Sequence, residues 1–77
     1  MKKYKGYWFA GIYGNVDAIE SNNFHKLRSD LRWIARNNTC ENGRAHYSIL
    51  RSREDELVPY ECGRFISGKW IVKRGLV

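Results

Sequence analysis

The sequence predicts an α+β fold, in which a single helix packs on a small antiparallel sheet in the order β-α-β-β(-β). The first observation behind this prediction is an aromatic, β-favouring run over residues 4–13. The second is an apolar stripe with helical spacing over residues 23–36. The third is a two-residue alternation over residues 44–51, followed by short apolar runs and turn signals. A chain of 77 residues is expected to form a single domain, residues 1–77.

The first predicted strand runs from Tyr4 to Tyr13 and ends at Gly14-Asn15. Residues 15–22 are expected to form a loop. A hairpin arm that includes Val16, Ala18 and Ile19 is the alternative for this segment, because these are apolar residues close to a turn signal.

The helix is predicted from about Asn23 to Arg36. Residues 21–23 offer side-chain oxygens that can accept hydrogen bonds from its first N–H groups, and Asn37-Asn38 can end it. Five apolar side chains recur at helical spacing and share one face: Phe24, Leu27, Leu31, Ile34 and Ala35. This face is expected to cover one side of the sheet.

The second strand is predicted over Arg44–Arg51, with Ala45, Tyr47 and Ile49 on its buried side. A charged connection over residues 52–56 leads to a third strand at Leu57–Glu61. Pro59 lacks an N–H donor, so this strand is expected to lie at a sheet edge there or to carry a bulge.

Two turn signals follow, at Cys62-Gly63 and at Ser67-Gly68. They cannot both be tight hairpins between long strands, because only residues 64–66 lie between them. The second signal suits a short hairpin that joins Phe65-Ile66 to residues 69–72. The C-terminal half is therefore predicted to be a meander of two or three strands.

The chain carries 14 Lys and Arg against 8 Asp and Glu, a net charge of +6. Such an excess attracts polyanions, and it also suits an acidic protein surface, an anionic membrane or simple solubility. Met1-Lys2-Lys3 is not followed by an apolar segment of the kind found in signal peptides. A cytoplasmic chain with no membrane partner and with reduced Cys40 and Cys62 is therefore expected.

Trp33 is predicted on the solvent face of the helix, about 150° from the centre of the apolar stripe. Its helical neighbours are polar or basic: Lys26, Ser29, Arg36 and Asn37. One interpretation is a stacking or interface hot-spot residue within a basic rim. The alternative is that Trp33 packs beneath the N-terminal arm or a loop.

Arg28, Arg32 and Arg36 recur at four-residue spacing along one flank of the helix. Like charges at this spacing repel each other, so a purely stabilising role does not account for all three. The forked guanidinium group suits contacts with phosphate or carboxylate. The alternative is pairing with Asp30, Glu20 or acids across the sheet.

Basic residues also cluster near both termini. They form one patch if the first and last strands are neighbours, and three rings in these strands could then stack on bases. The alternative is that the charges are simply solvated and the rings belong to the core. The cations are Lys2, Lys3, Lys5, Lys69, Lys73 and Arg74, and the rings are those of Tyr4, Tyr7 and Trp70.

No catalytic, cofactor-binding or metal-binding motif is present. The chain has no phosphate-cradling glycine loop, no nucleophile elbow and no His-Glu-x-x-His sequence. His25, Cys40, His46 and Cys62 lack the paired spacing of zinc ligands. The sequence therefore predicts neither an enzyme nor a bound metal or cofactor.

The predicted layout resembles that of small anti-CRISPR proteins, the strand–helix–sheet accessory proteins of phages and mobile elements. The segments that carry the resemblance are strand 4–13, helix 23–36, Tyr60–Phe65 and Gly68–Trp70. It is a resemblance of layout, and it transfers no functional residue. It implies inhibition of a nucleic-acid-guided complex by occupation of one of its surfaces.

Two functions are thus expected from the sequence. The first is a small binding protein that inhibits or modulates a host protein or nucleoprotein complex that handles nucleic acid. The second is a module that binds DNA or RNA directly through a basic, aromatic-rich face.

Overall fold

The structure, a computed structural model, describes residues 2–10, 18–37 and 45–75, without the side chains of Phe9 and Ala10. It confirms the α+β fold, with one helix on an antiparallel sheet. The elements are β1 (Tyr4–Ala10), β2 (Ala18–Ser21), α1 (Phe24–Asn37), β3 (Ala45–Arg53), β4 (Glu56–Ile66) and β5 (Lys69–Arg74).

The described strands form one five-stranded sheet in the order β2-β1-β3-β4-β5, and all neighbours are antiparallel. β2 is the hairpin arm that the sequence left as an alternative to a loop. Residues 11–17, which include the end of the predicted first strand, lie outside the described residues. Because β3 and β4 separate β1 from β5, the basic residues of the two terminal strands do not form one patch of adjacent strands.

The helix begins where the sequence predicted. The Oδ1 atom of Asn23 accepts a hydrogen bond from the Lys26 N–H at 3.1 Å, which satisfies one donor of the first turn. At the other end, the side-chain amide of Asn37 donates to the Trp33 carbonyl at 2.7 Å. Four residues of the predicted stripe are buried: Phe24, Leu27, Leu31 and Ala35. Ile34 is partly buried and packs beside them.

The helix packs closely on the centre of the sheet. α1 lies over β1 and β3 and reaches β2. A Cβ atom on Gly6 would collide with Leu31, so this glycine allows the helix to approach β1. The helix-side face of β4 and β5 is instead bordered by side chains from the flank of α1, and this arrangement positions the candidate site.

β4 corrects the sequence prediction. The third strand does not end at Glu61, and Cys62-Gly63 is not a turn, because β4 continues to Ile66. Gly63 lies directly opposite Tyr47 in the register, and a Cβ atom there would collide with the Tyr47 ring. This glycine therefore provides room for a neighbouring ring within a strand.

The predicted irregularity at Pro59 is confirmed. The β3–β4 register shifts between Ile49 and Leu50, so that Ile49 lies opposite Glu61 and Leu50 opposite Pro59. Tyr60 is the extra residue of this bulge. As a result, both Tyr60 and Glu61 face the helix side of the sheet, where Tyr60 contacts the rings of Tyr4 and Phe24.

Two-residue turns join the last three strands. Ser67 and Gly68 have φ angles of 51° and 78°, which confirms the predicted hairpin. Glu54 and Asp55 form the β3–β4 turn with φ angles of 50° and 65°. Positive φ at both central positions defines a type I′ turn, a conformation that favours Gly, Asn and Asp over residues such as Glu.

Candidate binding surfaces

A basic, aromatic surface lies on the helix side of β4 and β5. We call it the arginine shelf. It combines four guanidinium groups with three rings: Arg28, Arg32, Arg36 and Arg74 with Tyr47, Phe65 and Trp70. The helix contributes three of these arginines because they recur every four residues on the flank that faces β4 and β5.

Glu61 is a buried carboxylate beneath the shelf and is only 1% exposed. Its Oε1 atom accepts a hydrogen bond from Arg74 Nε at 2.9 Å and lies 3.5 Å from Arg28 Nη1. Its Oε2 atom accepts a hydrogen bond from the Tyr47 hydroxyl at 2.8 Å. The hydrogen bond to Glu61 raises the pKa of Arg74. Pairing with an acid across the sheet, the alternative for the helix arginines, thus holds for Arg28.

Tyr47 connects this carboxylate to the helix. Its hydroxyl accepts hydrogen bonds from Arg32 Nη2 at 3.0 Å and from Arg32 Nε at 3.3 Å, while it donates to Glu61. Burial raises the pKa of Tyr47 to about 12; the hydrogen bond from Arg32 opposes this shift, and the bond to Glu61 adds to it, since burial and a neighbouring anion both disfavour the phenolate. Tyr47 is therefore a neutral link between a cation and an anion.

Arg32 and Arg36 lie against the rings of the shelf. The Arg36 guanidinium carbon is 3.8 Å from the centre of the Phe65 ring, and that of Arg32 is 5.4 Å from the centre of the Trp70 ring. Stacking on a ring uses the face of a guanidinium group and leaves its N–H edges able to donate. Among the described residues, the shelf has one carboxylate for its four guanidinium groups, so this part of the surface keeps a positive charge suited to an anionic ligand.

Trp33 lies on the outer crest of α1 and is 68% exposed, as its helical spacing predicts. It does not pack beneath any described part of the N-terminal arm. Arg36 is exposed one turn along the helix, whereas the Lys26 ammonium group forms an ion pair with Asp30 at 3.1 Å. An exposed indole on a rigid helix beside the shelf suits an interface anchor.

The opposite face of the sheet is open among the described residues. Lys5, Arg64, Lys69 and Lys73 lie on this face by strand alternation, with Tyr7 and His46 between them. Partial burial, followed by the charge of nearby Arg64, lowers the pKa of His46. This face is basic, and its described residues include no buried polar side chain such as Glu61.

The predicted site residues therefore fall into three groups. Arg28, Arg32, Arg36 and Arg74 meet at the shelf, Lys26 and Trp33 lie on the helix crest, and Lys69 and Lys73 lie on the far face. Of the three proposed stacking rings, Tyr4 is buried at 7% exposure and Trp70 is half-buried on the helix side. Tyr7 alone of these three lies on the open face.

The sequence did not single out Glu61, Tyr47 and Phe65 as site residues. Alternation along β3 did place Tyr47 on the buried side. Glu61 gave no comparable signal, because the bulge at Tyr60 changes which residues of β4 face the helix.

Within residues 2–10, 18–37 and 45–75, no three His, Cys, Asp or Glu side chains lie close enough together to hold a metal ion. Cys40 lies outside these ranges, and Cys62 is a half-buried free thiol. In the same ranges, no helix is long and apolar enough to cross a membrane.

Comparisons of the chain with protein-family models, with curated proteins and with solved structures find no match. The resemblance to anti-CRISPR proteins stays a prediction from layout.

Proposed function

We propose that this chain is a small, non-enzymatic binding protein that inhibits or modulates a host complex that handles nucleic acid by occupying one of its surfaces. The observation that carries the proposal is the exposed Trp33 beside four arginines, of which Arg28 and Arg74 pair with the Glu61 carboxylate. Trp and Arg are the residue types most enriched at interface hot spots, and a rigid helix holds them with little ordering cost on binding.

The helix side of the molecule is the surface proposed to dock. Trp33 provides the apolar anchor, and Arg36 provides N–H groups for carboxylates or phosphates of the complex. Arg32 donates to Tyr47 through Nε and Nη2, so its Nη1 group is the one proposed to contact the complex. Arg28 and Arg74 hold the floor of the shelf through Glu61, so their main role is to keep this surface in place.

Affinity capture from host-cell lysate with wild-type and Trp33→Ala baits tests this proposal. The wild type is expected to enrich a nuclease or nucleoprotein complex. The Trp33→Ala bait is expected to capture at least about tenfold less of this complex, because a hot spot contributes roughly 2 kcal/mol or more of binding free energy. Thermal unfolding is expected to change little, since the ring is 68% exposed. A large fall in melting temperature would instead assign Trp33 to the core, and equal capture by both baits would remove it from the interface.

Direct binding of DNA or RNA is the second candidate, and the excess of positive charge on both faces of the sheet favours it. Phosphate contacts make log affinity fall linearly with log salt concentration. Titration of fluorescent single-stranded and duplex oligonucleotides at low salt measures this directly. Absence of binding there, together with capture that survives nuclease treatment of the lysate, would leave the protein-binding function alone.

A further inference from the structure

β5 has an unpaired outer edge among the described residues. It is the last strand in the sheet order, and β4 is its hydrogen-bonded neighbour. Ile71 and Val72, in the middle of this edge strand, are 52% and 38% exposed. An exposed edge with an apolar centre is a template for an additional strand.

The ladder shows which main-chain groups point outward. The Gly75 N–H donates to the Tyr60 carbonyl of β4 at 2.9 Å. Because the direction of N–H groups alternates along an antiparallel strand, the N–H groups of residues 69, 71 and 73 also point toward β4. Those of Trp70, Val72 and Arg74 therefore point away from the sheet.

Both faces of this edge are basic. Lys69 and Lys73 lie on the open face of the sheet, while Arg74 and the shelf arginines lie on the helix side. Acids at alternate positions of an added strand lie on one of its faces, and they would meet cations whichever face of the sheet they share. A second copy of β5 has three cations and no acid, so it would leave these charges uncompensated, and in the register centred on Ile71 it would place Lys69 opposite Lys73, which is destabilising.

We propose that the edge of β5 binds an extended acidic segment of a partner protein by strand addition. This inference rests on the proposed function, since it specifies the chemistry of the partner. The main chain of Trp70, Val72 and Arg74 supplies the hydrogen bonds, and the surrounding cations select an acidic sequence.

The test uses the full chain and a capped peptide, Glu-Thr-Glu-Val-Glu-Thr-Glu. Addition of the peptide is expected to protect the amides of Trp70, Val72 and Arg74 from hydrogen exchange, measured by NMR. The same peptide with Lys in place of Glu is expected to bind at least about tenfold more weakly, because like charges would then face each other. Slow exchange of these three amides in the free protein would show that the edge is already paired and would overturn the inference.

Val72→Pro removes an outward N–H without removing a bond of the β4–β5 ladder. It is expected to weaken peptide binding about tenfold, whereas Val72→Thr, which keeps the N–H, is expected to bind as the wild type does. If Val72→Pro does not fold, a synthetic chain with N-methylated Val72 makes the same change. Equal binding by the wild type and by the folded Pro or N-methyl chain would overturn strand addition.

The two proposals can fail separately. Loss of lysate capture with Trp33→Ala but not with Val72→Pro would refute the edge proposal and keep the proposed function. Peptide binding that depends on the Val72 N–H, without capture of any nucleic-acid-handling complex, would keep the edge proposal and refute the proposed function.

Discussion

At the scale of single residues, the hydrogen-bonded chain from Arg32 through Tyr47 to Glu61 decides the chemistry of the shelf. Glu61 is buried, and a buried carboxylate without partners costs several kcal/mol. Tyr47 and Arg74 provide its close hydrogen bonds. The network therefore keeps an acid beneath a basic surface and holds Arg32 in a defined position.

The raised pKa of Tyr47 is expected to make the stability of the wild-type chain depend on pH. The pKa of Tyr47 is about 12 in the folded chain and about 10 in the unfolded chain. The contribution of Tyr47 to the free energy of unfolding is therefore fully present below pH 10 and is lost as the pH rises toward 12. The loss is expected to be roughly 2–3 kcal/mol, measured by urea unfolding from pH 8 to 12.

Tyr47→Phe is the matched control for this titration, because it removes the phenol and keeps the ring. It is expected to be less stable than the wild type at pH 8 by about 1–3 kcal/mol, since Glu61 loses a buried partner. It is also expected to lose less stability between pH 10 and 12. Parallel pH curves for the two chains would contradict the raised pKa.

At the scale of elements, the β3–β4 turn conflicts with its own sequence. Glu54 and Asp55 occupy the left-handed region, at φ angles of 50° and 65°, where a residue such as Glu costs roughly 1–2 kcal/mol and Asp costs less. The turn persists because the register on either side, from Arg53 opposite Glu56 to Leu50 opposite Pro59, fixes its length at two residues.

Replacement of Glu54-Asp55 by Asn-Gly is therefore expected to stabilise the chain by about 1–2 kcal/mol, because these residues favour a type I′ turn. Thermal unfolding measures the gain, which corresponds to a rise of roughly 4–16 °C for a domain of this size. Glu54→Gln/Asp55→Gln removes the same two charges without the conformational benefit and is expected to change stability much less. An equal gain for both variants would assign the effect to charge instead of the turn.

The helix and strands also show which structural features could be predicted from the sequence. Helical spacing predicted α1 and the side of the helix on which Trp33 lies, although it left open whether another segment covers that ring. The missing N–H of Pro59 predicted a sheet edge or a bulge there. These effects act within a few residues along the chain. Cys62-Gly63 misled the prediction, since the reason for Gly63 is the ring of Tyr47, on a different strand. The meeting of Arg74 with the helix arginines was equally hidden, because it depends on the order of strands in the sheet.

At the scale of the whole molecule, α1 covers only part of the sheet. The helix lies over β1 and β3, so it does not cover the helix-side face of β4 and β5. The side chains of the arginine shelf border that face instead. A chain of 77 residues with a net charge of +6 thereby presents an anchor, a basic shelf and a strand edge that no described residue pairs with, all on neighbouring surfaces. This asymmetry supports the proposed binding role.

The most direct test compares two double variants with equal loss of charge as baits for the complex that the wild type captures. Arg32→Gln/Arg36→Gln alters the shelf, and Lys2→Gln/Lys3→Gln alters exposed charges at the N-terminus. The shelf variant is expected to capture at least about tenfold less of the complex than the wild type, and the N-terminal variant less than about twofold less. Circular dichroism is used to verify that both variants are folded. Equal losses, or a larger loss for the N-terminal variant, would contradict the claim that the helix-side surface is the binding site.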